Sequence, residues 1–363
     1  MKLKRLVSLL LASVMCLSMA ACGSTAAEET APAETQTPAQ TETPAETPAA
    51  PAETPVAPAE TPAQEPAEKV TINIAALKGP TALGMLNIME DNEAGTAAND
   101  YQFTLAGAAD EIVAKIVSGE LDIAAVPTNV GATLYKKTEG GVQLAALNTL
   151  GVLYILENGE TIQSVADLAG KSIVATGQGS TPEYALNLIL EKNGLTDSVT
   201  VEYKSEHSEV PPMLLSGEAS IAMLPQPFVT SVLAQNENIR VALDVTEEWN
   251  KAVNGESDLT MGCVVVRKEF AESNPEALNA FLDEYKASVD AVNADPAAAA
   301  HISEKFDIIK AAVAEKAIPE CNIVFIEGDE MQKIASGCLQ VLFDANPKSV
   351  GGALPDEAFY YKR

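Results

Sequence analysis

The stretch SGELDIAAVPTNVG, residues 118–131, is written again as SGEASIAMLPQPFV at residues 216–229. Ser118-Gly119-Glu120 returns as Ser216-Gly217-Glu218, Ile123-Ala124 as Ile221-Ala222, and Pro127 as Pro225, each about 98 positions later. In both copies a glycine ends a preceding helix-like segment and a short continuous apolar run follows. Such runs suit strands buried on both faces of a largely parallel sheet.

The copies extend in both directions. Upstream, TINIAALKGPTALGMLNIME (71–90) answers KSIVATGQGSTPEYALNLIL (171–190): an apolar strand, a Gly-containing loop, then an amphipathic helix. Leu83, Leu86 and Ile88-Met89 share one helical face, as do Leu186, Ile189 and Leu190. Thr81 and Thr181 stand where helix N-caps are expected, with Pro182 at the first helical position. Asp110 to Ser118 and Ser208 to Ser216 read as a second helix in each copy. VQLAALN (142–148) and IRVALDV (239–245) close the copies as further strands. Strand and helix alternating in this way specify α/β lobes with mostly parallel sheets, and the doubling specifies two of them.

No third copy follows. DLTMGCVVVRKEF (258–270) reads as a strand that re-enters the first sheet, and the remainder reads as a C-terminal helical segment. The chain therefore passes between lobes twice, near 150–156 and 253–260, and two crossings make a hinge. The expected division is lobe 1 at 69–153 plus 256–363 and lobe 2 at 154–255.

The first 68 residues are of another kind. Lys2, Lys4 and Arg5 precede an apolar run, and small residues lead into Cys22, so 1–21 reads as a secretory signal peptide. From Ser24 to Glu68 the chain is nearly all Ala, Pro, Glu and Thr, a composition that buries too little apolar surface to offset chain entropy. Residues 22–68 are thus expected to form a tether reaching on the order of 100 Å.

Composition removes several functions. With 23 Lys+Arg against 51 Asp+Glu, a formal charge of −28, the chain lacks the excess of basic groups that neutralises nucleic-acid phosphates. After Cys22, only Cys263, Cys321 and Cys338 remain, too widely spaced for a zinc pattern or a redox pair. GQGS at 177–180 lacks the later glycine of a dinucleotide fingerprint and the Gly-Lys-Ser/Thr of a phosphate loop. No Gly-x-Ser-x-Gly elbow occurs. No catalytic residue, cofactor or metal is expected.

Together, the strand-GPT-helix opening, SGELDIA, ADLAGKSIVATGQGSTPEYAL (166–186) and VVVRKEFAESNPEALNAFL (264–282) resemble the substrate-binding lipoproteins of bacterial ABC importers. The narrower resemblance is to the type 2 periplasmic-binding-protein class that includes aliphatic-sulfonate, taurine, nitrate and thiamine-precursor binders. MAAC-G at 19–23 resembles the lipobox of bacterial lipoproteins, which implies lipidation of Cys22 and a chain held outside the cytoplasm on the cell membrane. The resemblance implies a two-lobed fold that captures a small solute by hinge closure. It also implies delivery to a permease with its ATPase subunit, and a monomeric chain. A ligand-sensing surface lipoprotein is the alternative, and an enzyme of the pyrimidine-synthase-like class a further one; the latter relies on a histidine-rich iron site, whereas this chain has two histidines.

In open α/β sheets ligands bind outside the carboxyl ends of the strands. The candidate contacts are therefore Gly79, Pro80, Thr81, Thr128, Asn129 and Thr149 from lobe 1, and Ser180, Thr181, His207 and Gln226 from lobe 2. Lys78 and the helix starts favour an anion, yet no arginine stands in a cleft loop to clamp one. Tyr154, Tyr184 and Trp249 offer stacking surfaces for a flat heterocycle instead. The ligand stays open at this point.

Overall fold

A computed structural model describes residues 69–363. The expected signal peptide (1–21), the tether (22–68) and Cys22 lie outside the described residues.

Lobe 1 begins with strand β1 (Thr71–Leu77), the short helix α1 (Pro80–Leu83) and α2 (Leu86–Ala94). Then come β2 (Asp100–Ala106), α3 (Ala109–Ser118), β3 (Ile123–Pro127), α4 (Thr128–Lys137) and β4 (Val142–Leu150). Lobe 2 repeats the plan. Strand β5 (Leu153–Asn158) enters it, followed by β6 (Ser172–Thr176), α5 (Thr181–Lys192), β7 (Thr200–Lys204) and α6 (Val210–Ser216). It closes with β8 (Ile221–Pro225), α7 (Phe228–Leu233), β9 (Ile239–Asp244) and α8 (Val245–Ala252).

The chain then returns as β10 (Thr260–Arg267) and continues into α9 (Lys268–Ser273), α10 (Pro275–Ala294), α11 (Pro296–Lys305) and α12 (Ala311–Ala317). Strand β11 (Ile323–Ile326) and α13 (Gly328–Ala345) complete it.

The doubled phrase forms β3 and β8, and both are central strands. Sheet order is β11-β4-β10-β3-β1-β2 in the first lobe and β7-β6-β8-β5-β9 in the second. In each sheet four strands share one direction, and the strand that has just crossed between the lobes is inserted antiparallel to them. Strand β10 lies between β3 and β4, and β5 between β8 and β9. The return of 260–266 to the first sheet is thus as the sequence indicates. Ile123 to Val126 and Ala222 to Leu224 are buried, as strands covered by helices on both faces require.

Long helix α10 covers the first sheet. Its Phe281 and Tyr285 rings stack with centroids 5.7 Å apart and join the core that holds Ile72, Ile74 and Leu86. Near the second crossing Trp249 is fully buried, and its indole N–H donates to the Ser257 carbonyl at 2.9 Å.

Candidate functional site

Every first-lobe strand that shares the common direction ends on the same rim as the start of a helix, and the rim differs from the sequence reading at its caps. Gly79 (φ 127°) precedes α1 in a backbone conformation that side chains rarely adopt. It, not Thr81, occupies the N-cap position. Thr81 already lies inside the helix, and its hydroxyl donates back to the Leu77 carbonyl at 3.1 Å. In the second lobe extended Ser180 is the N-cap, Thr181 is the first helical residue, and Pro182 is second. The correction has one cause. N-cap position is set by where the backbone leaves the extended region, and in each loop that happens before the threonine.

Behind the first rim lies a packed polar knot. Asn148 is fully buried; its amide N–H donates to the Thr81 carbonyl at 3.2 Å, and its oxygen accepts from the Thr149 hydroxyl at 3.2 Å. Gly262 of β10 faces this knot. A β-carbon there would stand 2.4 Å from Asn148 Oδ1 and 2.8 Å from Thr81 Cγ2. Gly262 therefore lets the amide reach Thr81, a role that its place in an apolar run conceals.

Thr128 and Asn129 open α4 and are buried, with the Thr128 hydroxyl lacking any partner. Asn129 reaches across to the second lobe: its Oδ1 accepts from the Thr181 hydroxyl at 3.3 Å while its Nδ2 donates to the Ser349 carbonyl at 3.2 Å. Beside this bridge, Asn346 Nδ2 donates to the Tyr184 hydroxyl at 3.3 Å. The two rims thus meet directly.

On the second-lobe rim, the Ser180 hydroxyl donates to the Gly177 carbonyl at 2.7 Å. His207 is exposed; its Nδ1 shares a hydrogen bond with the hydroxyl of buried Thr176, and its ring lies 5.5 Å from that of Phe228. The residue keeps exposed surface, but its ring is packed against Thr176 and Phe228, and this desolvation lowers the imidazole pKa from its ordinary value. Thr176 was not among the sequence candidates, because a threonine ending an apolar strand carries no distinguishing signal. Gln226 is only 3% exposed, and its Oε1 accepts from both the Thr230 N–H and hydroxyl. Among the described residues, no hydrogen bond ties His207 or Gln226 to the Thr81, Asn148 and Asn129 groups.

The rim is lined by hydroxyls, amides and helix starts, without a guanidinium. Arg240 pairs with Glu157, Arg267 with Asp122 and Glu269, and Arg363 with Asp283 and Glu327. Lys78, expected beside the first loop, is instead drawn 2.6 Å from Asp307. Of the aromatic candidates, Trp249 is core, while the other two are tied through their hydroxyls: Tyr184 accepts from Asn346, and Tyr154 donates to the Glu320 carbonyl at 3.2 Å. None of the helices α1, α4, α5 and α7 has a side-chain cap, so the first N–H groups of α4 and the Thr181 N–H of α5 are open to acceptor oxygens; Pro182 has no N–H, and the Glu183 N–H donates to the Ser180 carbonyl at 3.1 Å. Among the described residues no three His, Cys, Asp or Glu side chains stand together as metal ligands.

Solved structures share this fold. An ABC transporter protein from Parabacteroides distasonis superposes with a TM-score of 0.70 at 23% identity, covering 81% of this chain and all of that one. The periplasmic aliphatic sulphonate binding protein of Escherichia coli gives 0.64 at 15% identity, over 80% of this chain and 92% of its own. The periplasmic nitrate-binding protein of Synechocystis gives 0.52 at 12%, over 73% and 75%. At these identities the likeness establishes the fold. No curated protein matches in sequence. The family described as "ABC transporter, phosphonate, periplasmic substrate-binding protein" matches residues 88–315, from within α2 to within α12 and so across both sheets. With that span matched and the two-sheet fold in place, the chain belongs to this family and is a periplasmic-type substrate-binding component of an ABC import system.

Proposed function

We propose that the chain captures a small, oxygen-bearing organic or inorganic solute between the carboxyl ends of its two sheets. The lobes close about the two crossings and present the solute to a membrane permease and its ATPase subunit. One observation carries this reading. Of the fifteen buried polar or charged residues among those described, seven lie at or beside these strand ends: Thr128, Asn129, Asn148, Thr149, Thr176, Thr181 and Gln226. Burying polar groups costs free energy unless they are bonded, so their concentration on two facing rims supports a ligand-receiving surface over an ordinary core.

Gly79, Pro80, Thr81, Thr128, Asn129, Thr149, Ser180, Thr181 and His207 form the proposed contact set, with Gln226 at its margin. Their donors are hydroxyls, amides and backbone N–H groups, which suit sulfonate-, phosphonate- or nitrate-like oxygens. The names of the Escherichia coli and Synechocystis proteins support that class. The proposal includes lipid anchoring through Cys22, a solvated tether from 22 to 68, and action as a monomer outside the cytoplasm.

A thermal-shift screen of the full chain against sulfonates, phosphonates, nitrate, pyrimidines and amino acids tests this reading. At a hundredfold excess over Kd a true ligand adds about 2.7 kcal/mol of stability, a readily measured shift. An oxygen-bearing solute should give it, with scattering showing a more compact particle. Binding without compaction would remove the closure step.

A further inference from the structure

The two hydrogen bonds that reach α5 from the first lobe both depend on one short turn at the end of α13. The turn, Pro347–Val350, is capped by Asn346. Most of its polar groups are spent locally. The Asn346 N–H donates to the Leu342 carbonyl at 2.9 Å, the Ser349 N–H to the Asn346 carbonyl at 2.9 Å, and the Ser349 hydroxyl to the Leu342 carbonyl at 3.0 Å. Gly351 (φ 84°) then passes so close to α4 that a β-carbon there would stand 3.2 Å from Thr133 Cα. Ser349 and Val350 are buried. The turn is thus fixed to α4 and α13 and moves with the first lobe.

Its geometry sets the direction of two amides. The Lys348 N–H can only donate, and it does so to Asn346 Oδ1 at 3.1 Å. Asn346 Nδ2 is thereby turned to the Tyr184 hydroxyl of α5. The Ser349 carbonyl can only accept, and it takes Asn129 Nδ2. Asn129 Oδ1 is then the atom left to meet the Thr181 hydroxyl. Thr181 and Tyr184 are buried, and their spacing puts them on one face of α5. A fixed turn of one lobe therefore holds the first turn of a helix in the other, through bonds that need no solute.

We propose that Asn346–Val350 is a closure latch, which biases the lobes toward the closed arrangement before capture. Asn346 and Tyr184 are its positioning pair and act without touching the solute. The latch rests on the reading above that the lobes close about their two crossings. Because the protein itself supplies part of the closure free energy, residues outside the contact set tune the apparent affinity.

Pulsed electron–electron distance measurement on the full chain tests this, with spin labels at Lys137→Cys of α4 and Lys192→Cys of α5, both exposed. Cys22→Ser removes a competing thiol, and Cys263, Cys321 and Cys338 are buried. Asn346→Ser keeps an oxygen for the Lys348 N–H but is too short to reach Tyr184, and Tyr184→Phe deletes the hydroxyl alone. Each should raise the open-to-closed ratio about two- to tenfold, the loss of one net hydrogen bond. The double variant should open no further than either single one. Asn346→Asp should restore the short distance, because the Tyr184 hydroxyl can turn and donate to the carboxylate.

Wild-type distances in both Asn346→Ser and Tyr184→Phe overturn the latch, even where urea midpoints fall, since mere packing residues would lower stability without parting the lobes. An Asn346→Asp chain as open as Asn346→Ser overturns it too. An excess of ethanesulfonate, methylphosphonate or nitrate should close Asn346→Ser again. If none does, the oxyanion reading of the cleft fails, while the distances measured without solute still decide the latch.

Discussion

Replacing Gly262 by Ala should show whether the first rim is as tightly packed as the geometry indicates. Gly262 has no left-handed backbone conformation, so the substitution acts only through its new methyl group. That methyl would stand 2.4 Å from Asn148 Oδ1, 2.8 Å from Thr81 Cγ2 and 3.0 Å from Thr149 Oγ1. The first distance forces the amide to move. Overpacking of this kind costs about 1–3 kcal/mol, and an amide driven off its Thr81 and Thr149 partners costs about 1–3 kcal/mol more. Urea unfolding should therefore show G262A less stable by about 2–6 kcal/mol with an unchanged slope.

Asn148→Ala removes the atom that the new methyl strikes. In the double variant the second substitution should thus cost much less than it does alone, giving a coupling energy of at least about 1 kcal/mol. Costs that add within about 0.5 kcal/mol would refute the packing argument, because they would mean that Gly262 and Asn148 do not share the space.

Three further outcomes follow from the same description. Cys22→Ser should move the protein from the membrane fraction to the soluble one; unchanged partition would remove the anchor. Because desolvation lowers the His207 pKa, the unfolded chain binds more protons there as pH falls below the ordinary imidazole value. Stability relative to His207→Gln should then drop between about pH 7.5 and 5.5, and urea midpoints that track in parallel would contradict the shift. Trp249→Phe should cost about 2–4 kcal/mol through a cavity and a lost indole hydrogen bond yet leave solute affinity unchanged; a large affinity loss would restore the tryptophan to the site.

The doubled phrase made the two lobes legible, because continuous apolar runs such as Ile123–Val126 mark buried central strands. Strands β2 and β7 were not read from the sequence. Both are edge strands with mixed burial, so DYQFTLA and TVEYK lack the apolar run that betrays a centre. The rim residues were found by position at strand ends, but their partners were not. Asn148 meets Gly262 only because β10 inserts antiparallel between β3 and β4, a pairing with no local signature. Tyr184 and Trp249 looked available for stacking because aromatic character is visible in sequence, whereas their burial, and the remote Asn346 and Ser257 carbonyl that hold the hydroxyl and the indole N–H, are not.

The central claim is that both rims grip one solute. Its most direct test is calorimetric titration of Thr128→Val and Thr181→Val with the solute that the screen identifies, one variant from each lobe. Valine keeps the threonine shape and deletes the hydroxyl, and a lost ligand hydrogen bond costs about 0.5–1.5 kcal/mol, or about 1.5–3 where the bonded group is charged. Both variants should therefore bind from a few-fold to about a hundredfold more weakly, each with reduced compaction in scattering at a fixed solute concentration. Wild-type affinity in both would contradict the account.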